Sequence, residues 1–345
     1  MKNIIFFISL IFFLTVNSVI FSQTSEYKIV NKFQIEGDGG WDYIAADDVS
    51  GRLYISHGTT VNVVYASNGN LIGSIPDTKG VHGIAIATDL NQGFISCGRD
   101  TSVIIFNLQT LEFIARVKVT GQNPDAILFD KFTHKLFTFN GRSSNATVID
   151  GYSNNVVTTI VLEGKPEFAV ADGKGKVYVN IEDKNMITKI NSVTLMVEKS
   201  WSISPGEEPT GLAMDRENNL LFSVCGNKLM VISDAETGKV ITTLPIGEGS
   251  DGVVFDPVLK RAYSANGGSG TITVVQENSK DNFEVIETIN TQKGARTIAI
   301  SKKTHDLYLP AAEYDPAPEP TAENPKPRPS IRPGTFVILD IGYIK

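Results

Sequence analysis

Seven copies of one short pattern run through this chain. Each is an apolar strand, a polar turn and a second strand built on an aromatic or apolar pair. The pattern can be indexed on Asp42, His82, Asp125, Glu167, Thr210, Asp251 and Arg296, which lie 40, 43, 42, 43, 41 and 45 residues apart. A period in the forties that contains only strand-like segments is the mark of stacked four-stranded sheets arranged in a ring. The expected fold is all-β: a seven-bladed β-propeller of four-stranded antiparallel blades.

The inner strands read YIAAD, GIAIA, AILFD, FAVAD, GLAMD, GVVFD and TIAIS. The second strands read LYISH, GFISC, LFTFN, VYVNI, LFSVC, AYSAN and LYLPA, and the third are rich in β-branched residues, as in SVIIF and TITVV, which suit a pleated sheet. The seventh repeat stops after TFVIL without a fourth strand, whereas Tyr27 to Ile35, YKIVNKFQI, precedes the first inner strand with no blade of its own. Pairing that N-terminal strand with the last blade completes it, removes an open edge and closes the ring.

Lys2, the apolar run from Ile4 to Leu14 and the small residue Ser22 predict a signal peptide over 1–22, leaving 23–345 as a single propeller domain. No membrane span is expected after cleavage, and the compartment is periplasmic or extracellular. Loss of Lys2 moves the formal charge from −7 to about −8. A negative balance opposes nonspecific attraction to nucleic acid, which depends on a positive field. The two cysteines, Cys97 and Cys225, fall at matching places in the second and fifth repeats, nearly across the ring. A disulfide needs Cα atoms within about 7 Å, so two free thiols are expected.

The blades LYISHGT…VNVVYASNGNLIGSI and LFSVCGNKLMVISDAETGKVITTLPIG resemble the YVTN repeats of YncE-like propellers, and the likeness extends over the mature chain. The resemblance implies an exported bacterial protein with seven blades. It brings no shared catalytic motif, though some members of the family are described as nucleic-acid binders.

In a propeller the links between blades and the loops after the second strands share one face. The index residues Asp42, His82, Asp125, Glu167, Asp251 and Arg296 are therefore expected at the mouth of the central channel, with His57, Asn140 and Asn266 on the same rim beside Arg99 and Arg142. Arginine's planar fork suits carboxylate or phosphate. His57 and His82, near Asp42 and Cys97, form a candidate transition-metal set, while His134 and His305 fall in turns of the opposite face. The stretch Glu313 to Gly334, EYDPAPEPTAENPKPRPSIRPG, is a proline-rich insertion in the last blade. It is expected to stay extended over the rim as a flap, presenting Tyr314, Lys326, Arg328 and Arg332.

Two functions follow. The first is an exported binding protein that captures a small polar ligand, or a peptide or protein partner, at the channel mouth under the flap. The second is a metal-dependent lactonase or hydrolase. There Asp42, Asp125, Glu167 and Asp251 would hold a divalent ion such as Ca²⁺, His57 or His82 would move protons and Arg296 would steady developing negative charge. A third, single-stranded nucleic-acid binding, rests on the family resemblance alone. It needs a series of aromatic platforms that Trp41 and Trp201 do not supply.

Overall fold

The computed structural model describes residues 26–344 apart from 38, 322, 323, 326 and 328, so the expected signal peptide lies outside the described residues. Seven four-stranded antiparallel sheets form the ring. Blade 1 runs from its inner strand Trp41–Asp47 through Arg52–His57 and Thr60–Tyr65 to the outer strand Leu71–Ile75. Blades 2 to 6 repeat that order from inner strands Val81–Ala87, Pro124–Asp130, Pro166–Ala171, Pro209–Asp215 and Ser250–Asp256. Blade 7 is built from Ala299–Ile300, Leu307–Ala311 and Val337–Tyr343, with Tyr27–Gln34 as its outermost strand. The only helical element among the described residues is a single 3-10 turn, Glu182–Lys184.

The N-terminal strand closes the ring as its sequence predicts. Tyr27 pairs with Tyr343 and Gln34 with Val337, in antiparallel register. The third strand therefore extends through Tyr343, into what the sequence suggests is only a tail. Tyr27 and Phe33 bury their rings, and the Tyr27 hydroxyl meets that of Tyr263 in blade 6 at 2.7 Å. Each inner strand packs on the next, and that of blade 7 returns to blade 1.

Turn chemistry repeats with the blades. An aspartate ends the inner strand in four of them and directly follows it in blade 4, and Asp47, Asp130, Asp172, Asp215 and Asp256 each accept from a backbone N–H two residues on. Such Asx turns satisfy the chain where the ladder stops. The apolar core is divided into seven clusters, one at every blade-to-blade interface. Second and third strands are buried on both faces and inner strands are partly buried, while outer strands such as Phe113–Lys118 are largely exposed. Cys97 and Cys225 are buried free thiols, as expected, and burial pushes both up to about 12.

The inner strands carry one feature that the sequence does not announce. In blades 1 to 6 the pairing with the second strand slips by one residue near the strand's start, between Trp41 and Ile44 in blade 1 and at the matching place in the others. These slips fall at the index positions. A β-bulge leaves its extra residue unpaired and re-aims the side chain, and here six of them ring the channel mouth.

Candidate functional site

The bulged peptides are stitched together from blade to blade. The Ser96 hydroxyl accepts from Gly83 N–H at 2.8 Å and donates to the Asp125 carbonyl of blade 3. Asn180 donates to the Thr210 carbonyl at 3.0 Å, the Thr210 hydroxyl to the Ser250 carbonyl at 3.0 Å, and the Thr297 hydroxyl to the Asp42 carbonyl at 2.5 Å. Backbone polarity is met by hydroxyls and amides. The charged side chains of the same residues are left to meet one another.

They do so around a single opening. His82 Nδ1 donates to Asp42 Oδ2 at 2.6 Å and lies 3.6 Å from Asp125 Oδ1. Gly98 leaves room for this imidazole, since a Cβ there would sit 2.8 Å from His82 Nε2. Arg296 donates through Nε to Asp251 at 2.9 Å and reaches Asp42 Oδ1 at 3.3 Å. Lys165 binds Glu167 at 2.7 Å and also pairs with Glu182. Below this ring Tyr43 from blade 1 meets Phe168 from blade 4 across the channel, with ring centroids 5.6 Å apart. The aromatic pair forms a floor under the mouth.

Acidic groups gathered on a protein floor resist ionising together. Burial, with Asp42 and Asp251 opposite and His82 working against them, pushes Asp125 up to about 6. Burial and the Asp125 charge push Glu167 up to about 8 despite its Lys165 partner. Burial also raises Asp251, against the pull of Arg296. For His82, burial disfavours the imidazolium, but the Asp42 hydrogen bond and the Asp125 and Asp42 charges outweigh it, so its pKa is raised. The Tyr43 phenol is driven well above its usual range by burial and by the four carboxylates Asp125, Asp42, Asp251 and Glu167.

The structure thus brings Asp42, His82, Asp125, Glu167, Asp251 and Arg296 together and separates them from the rest of the expected rim. Asn140 is fully buried inside blade 3, where its amide binds Asn145 and Thr147 at 2.7 and 3.0 Å. Asn266 is likewise buried in blade 6 and donates to Thr271 and Thr273. Both side chains point into their own sheets because the strand's two-residue alternation, and not the face of the loop, sets their direction. His57 is buried against Phe336, with ring centroids 4.2 Å apart, beside a cleft lined by Ile331 and Pro333 of the insertion. It is not part of a metal set with His82, and Cys97 is enclosed in its blade. Arg99 and Arg142 are exposed on the loops and make no ion pair with the mouth. His134 and His305 pair with Asp89 and Asp256 in the opposite-face turns, as expected.

The four carboxylates do not form one ligand set. Asp251 is held by Arg296 and Glu167 by Lys165. Among the described residues, Asp42, His82 and Asp125 do offer three donor atoms within 4.8 Å of one another.

The proline-rich insertion is pinched at its base. Tyr314 bridges to Ile331, Asp315 N–H donates to the Ser330 carbonyl at 2.9 Å, and Arg332 pairs with Glu313 at 2.6 Å and Asp315 at 3.1 Å. Arg332 is thus spent on the neck, while Lys326 and Arg328 lie outside the described residues. Tyr314 packs on Trp41 at 6.1 Å, and the Arg296 guanidinium lies over that same indole at 5.8 Å. One aromatic layer therefore joins the neck of the insertion to the cation of the mouth.

Tyr43, Phe168 and Lys165 were not singled out from the sequence. A signal existed: the position after the index residue is Gly83, Ala126, Gly211, Gly252 or Thr297 elsewhere, and only two repeats put an aromatic there.

No family model matches the sequence, and no curated protein does. Among solved structures the chain is similar to Kuenenia stuttgartiensis hydrazine synthase, at 16% identity and a TM-score of 0.69 over 80% of this chain and 94% of that one. It is also similar to U3-55K, at 9% identity and a TM-score of 0.72 over 81% and 90% of the two chains. The WD40 repeats of RRP9 match with the same identity and TM-score, over 81% and 89%. At such identities the likeness is one of architecture, and it shows a seven-bladed β-propeller with WD40-like neighbours.

Proposed function

We propose that this protein is an exported binding propeller of the YVTN-repeat type, whose channel mouth takes a small polar ligand, or the end of a peptide, that carries an ammonium group. One observation carries the reading. Four carboxylates face one opening that holds three cations, His82, Arg296 and Lys165, and burial together with the carboxylates' mutual charge raises Asp125 and Glu167. A ligand cation would supply balancing charge at this partly buried mouth, through charge-assisted hydrogen bonds to the carboxylates. The aromatic floor sets the depth, and the pinched insertion stands beside the opening. The acidic mouth disfavours a phosphate backbone.

Calorimetric titration with ethanolamine, lysine, putrescine and diglycine, with acetate as control, tests this. Binding of at least one amine is expected, weakened at least tenfold in Asp125→Asn and Glu167→Gln. Absence of heat for every amine, or affinity indifferent to both substitutions, would reject it.

A second reading has its own support in the Asp42, His82 and Asp125 group: a divalent ion held there would polarise a carbonyl or activate water for hydrolysis. Metal analysis of the purified protein and melting with and without EDTA decide it. Stoichiometric metal and an EDTA-induced fall in melting temperature are expected on this reading, and neither would appear if the mouth binds only organic cations.

A further inference from the structure

Beneath the Tyr43–Phe168 floor the channel continues as a second, chemically different chamber of about 190 Å³. Its walls are Val170, Leu212, Met214, Val254, Ile298 and Ile300. At its far end stand Arg216 and Lys302, each six residues beyond the index position of its blade. At about 3.3 Å per residue this places them about 20 Å below the mouth, on the opposite face. Two cations thus stand at the lower end of a channel whose upper mouth gathers carboxylates.

The two cations have no assigned work there. Arg216 donates through Nε to the Ala171 carbonyl at 2.7 Å, which steadies the stem of the guanidinium, and neither Arg216 nor Lys302 forms an ion pair among the described residues. The carboxylates around them are engaged elsewhere. Asp130 and Asp172, near Arg216, accept from turn amides at 3.1 and 2.7 Å. Asp256, near Lys302, accepts from Val258 N–H and holds His305, and Asp48 accepts from the Lys302 backbone at 2.9 Å. Being ringed by protein lowers the pKa of both cations, and Arg216 adds to the strain on Lys302. Both side chains remain open to channel water.

We propose that this lower chamber is a binding site for a small amphiphilic anion, an apolar carboxylic acid whose body fills the chamber and whose carboxylate lies between Arg216 and Lys302. The size of the chamber sets the body. An apolar cavity of roughly 150 Å³ accommodates benzene, so about 190 Å³ suits six to eight carbon atoms. The guanidinium can take a carboxylate through two parallel hydrogen bonds, with the ammonium as a point charge beside it. The site is independent of the mouth, because Tyr43 and Phe168 lie between them.

The test is titration of the full mature chain with hexanoate and benzoate, against hexanol, benzyl alcohol, hexylamine and acetate. Hexanoate or benzoate is expected to bind at least tenfold more tightly than the matching alcohol, with hexylamine and acetate weaker still. The doubly substituted Arg216→Gln, Lys302→Gln protein should lose at least tenfold in affinity for the acid. These side chains are exposed, so the variant should keep its fold, and its melting temperature checks this. Val254→Phe should block the acid by filling the chamber, and Asp125→Asn should leave acid binding unchanged. Equal affinity for acid and alcohol, or no change in the double variant, would overturn the proposal.

Discussion

Glu167 shows how a single residue is decided by its surroundings. Its carboxyl is 11% exposed, shares an ammonium with Glu182 and faces Asp125, and its pKa rises from an ordinary 4.5 to about 8. In that interval the folded protein holds a proton that the unfolded chain has released, so stability falls as pH rises from about 4.5 to about 8 and levels off above. The full shift, which already includes the Lys165 pair, sets a ceiling of about 5 kcal/mol. Urea denaturation across that range should therefore show wild type losing more stability towards pH 8 than Glu167→Gln, whose remaining slope comes from Asp125, Asp251 and His82. A wild-type profile parallel to that of the variant would contradict the assignment.

At the scale of elements, the bulged inner strand and the closing strand make separate predictions. Ser96→Ala removes a hydroxyl that serves two backbone groups in neighbouring blades and should cost about 1–3 kcal/mol in urea denaturation, since both partners are left unsatisfied. Phe33→Ala, in the strand that completes blade 7, should cost about 3 kcal/mol or more by opening a cavity at the blade 7 to blade 1 interface. A loss below about 0.5 kcal/mol in either would argue against the stitching or the closure. These elements also mark what the sequence makes legible. Seven repeats, the strand that closes the ring, the two separated thiols and six of the mouth residues can be read from spacing, because a propeller's period is a sequence property. The repeat period alone does not separate Asn140 and Asn266 from rim residues, because the alternation at the end of a second strand, which leaves no mark on the period, decides which way the last side chain points. His57 was assigned by its loop, yet packing against Phe336, 279 residues later, decides its place. The floor was hidden for a similar reason: Tyr43 and Phe168 meet only once the ring sets blade 1 opposite blade 4.

For the whole molecule, the ring converts distant sequence positions into one electrostatic unit. Asp42, Asp125, Glu167 and Asp251 come from blades 1, 3, 4 and 6, and no local segment could make them feel one another. The same geometry places an apolar chamber and two cations beneath them. The most direct test is an NMR pH titration of side-chain carboxyl ¹³C signals in wild type and Asp125→Asn. One glutamate, absent from Glu167→Gln, should titrate near 8 in wild type and move towards the ordinary range when the Asp125 charge is removed. If every glutamate titrates in the ordinary range, or if the Glu167 midpoint ignores the substitution, the carboxylates are not gathered around a common mouth.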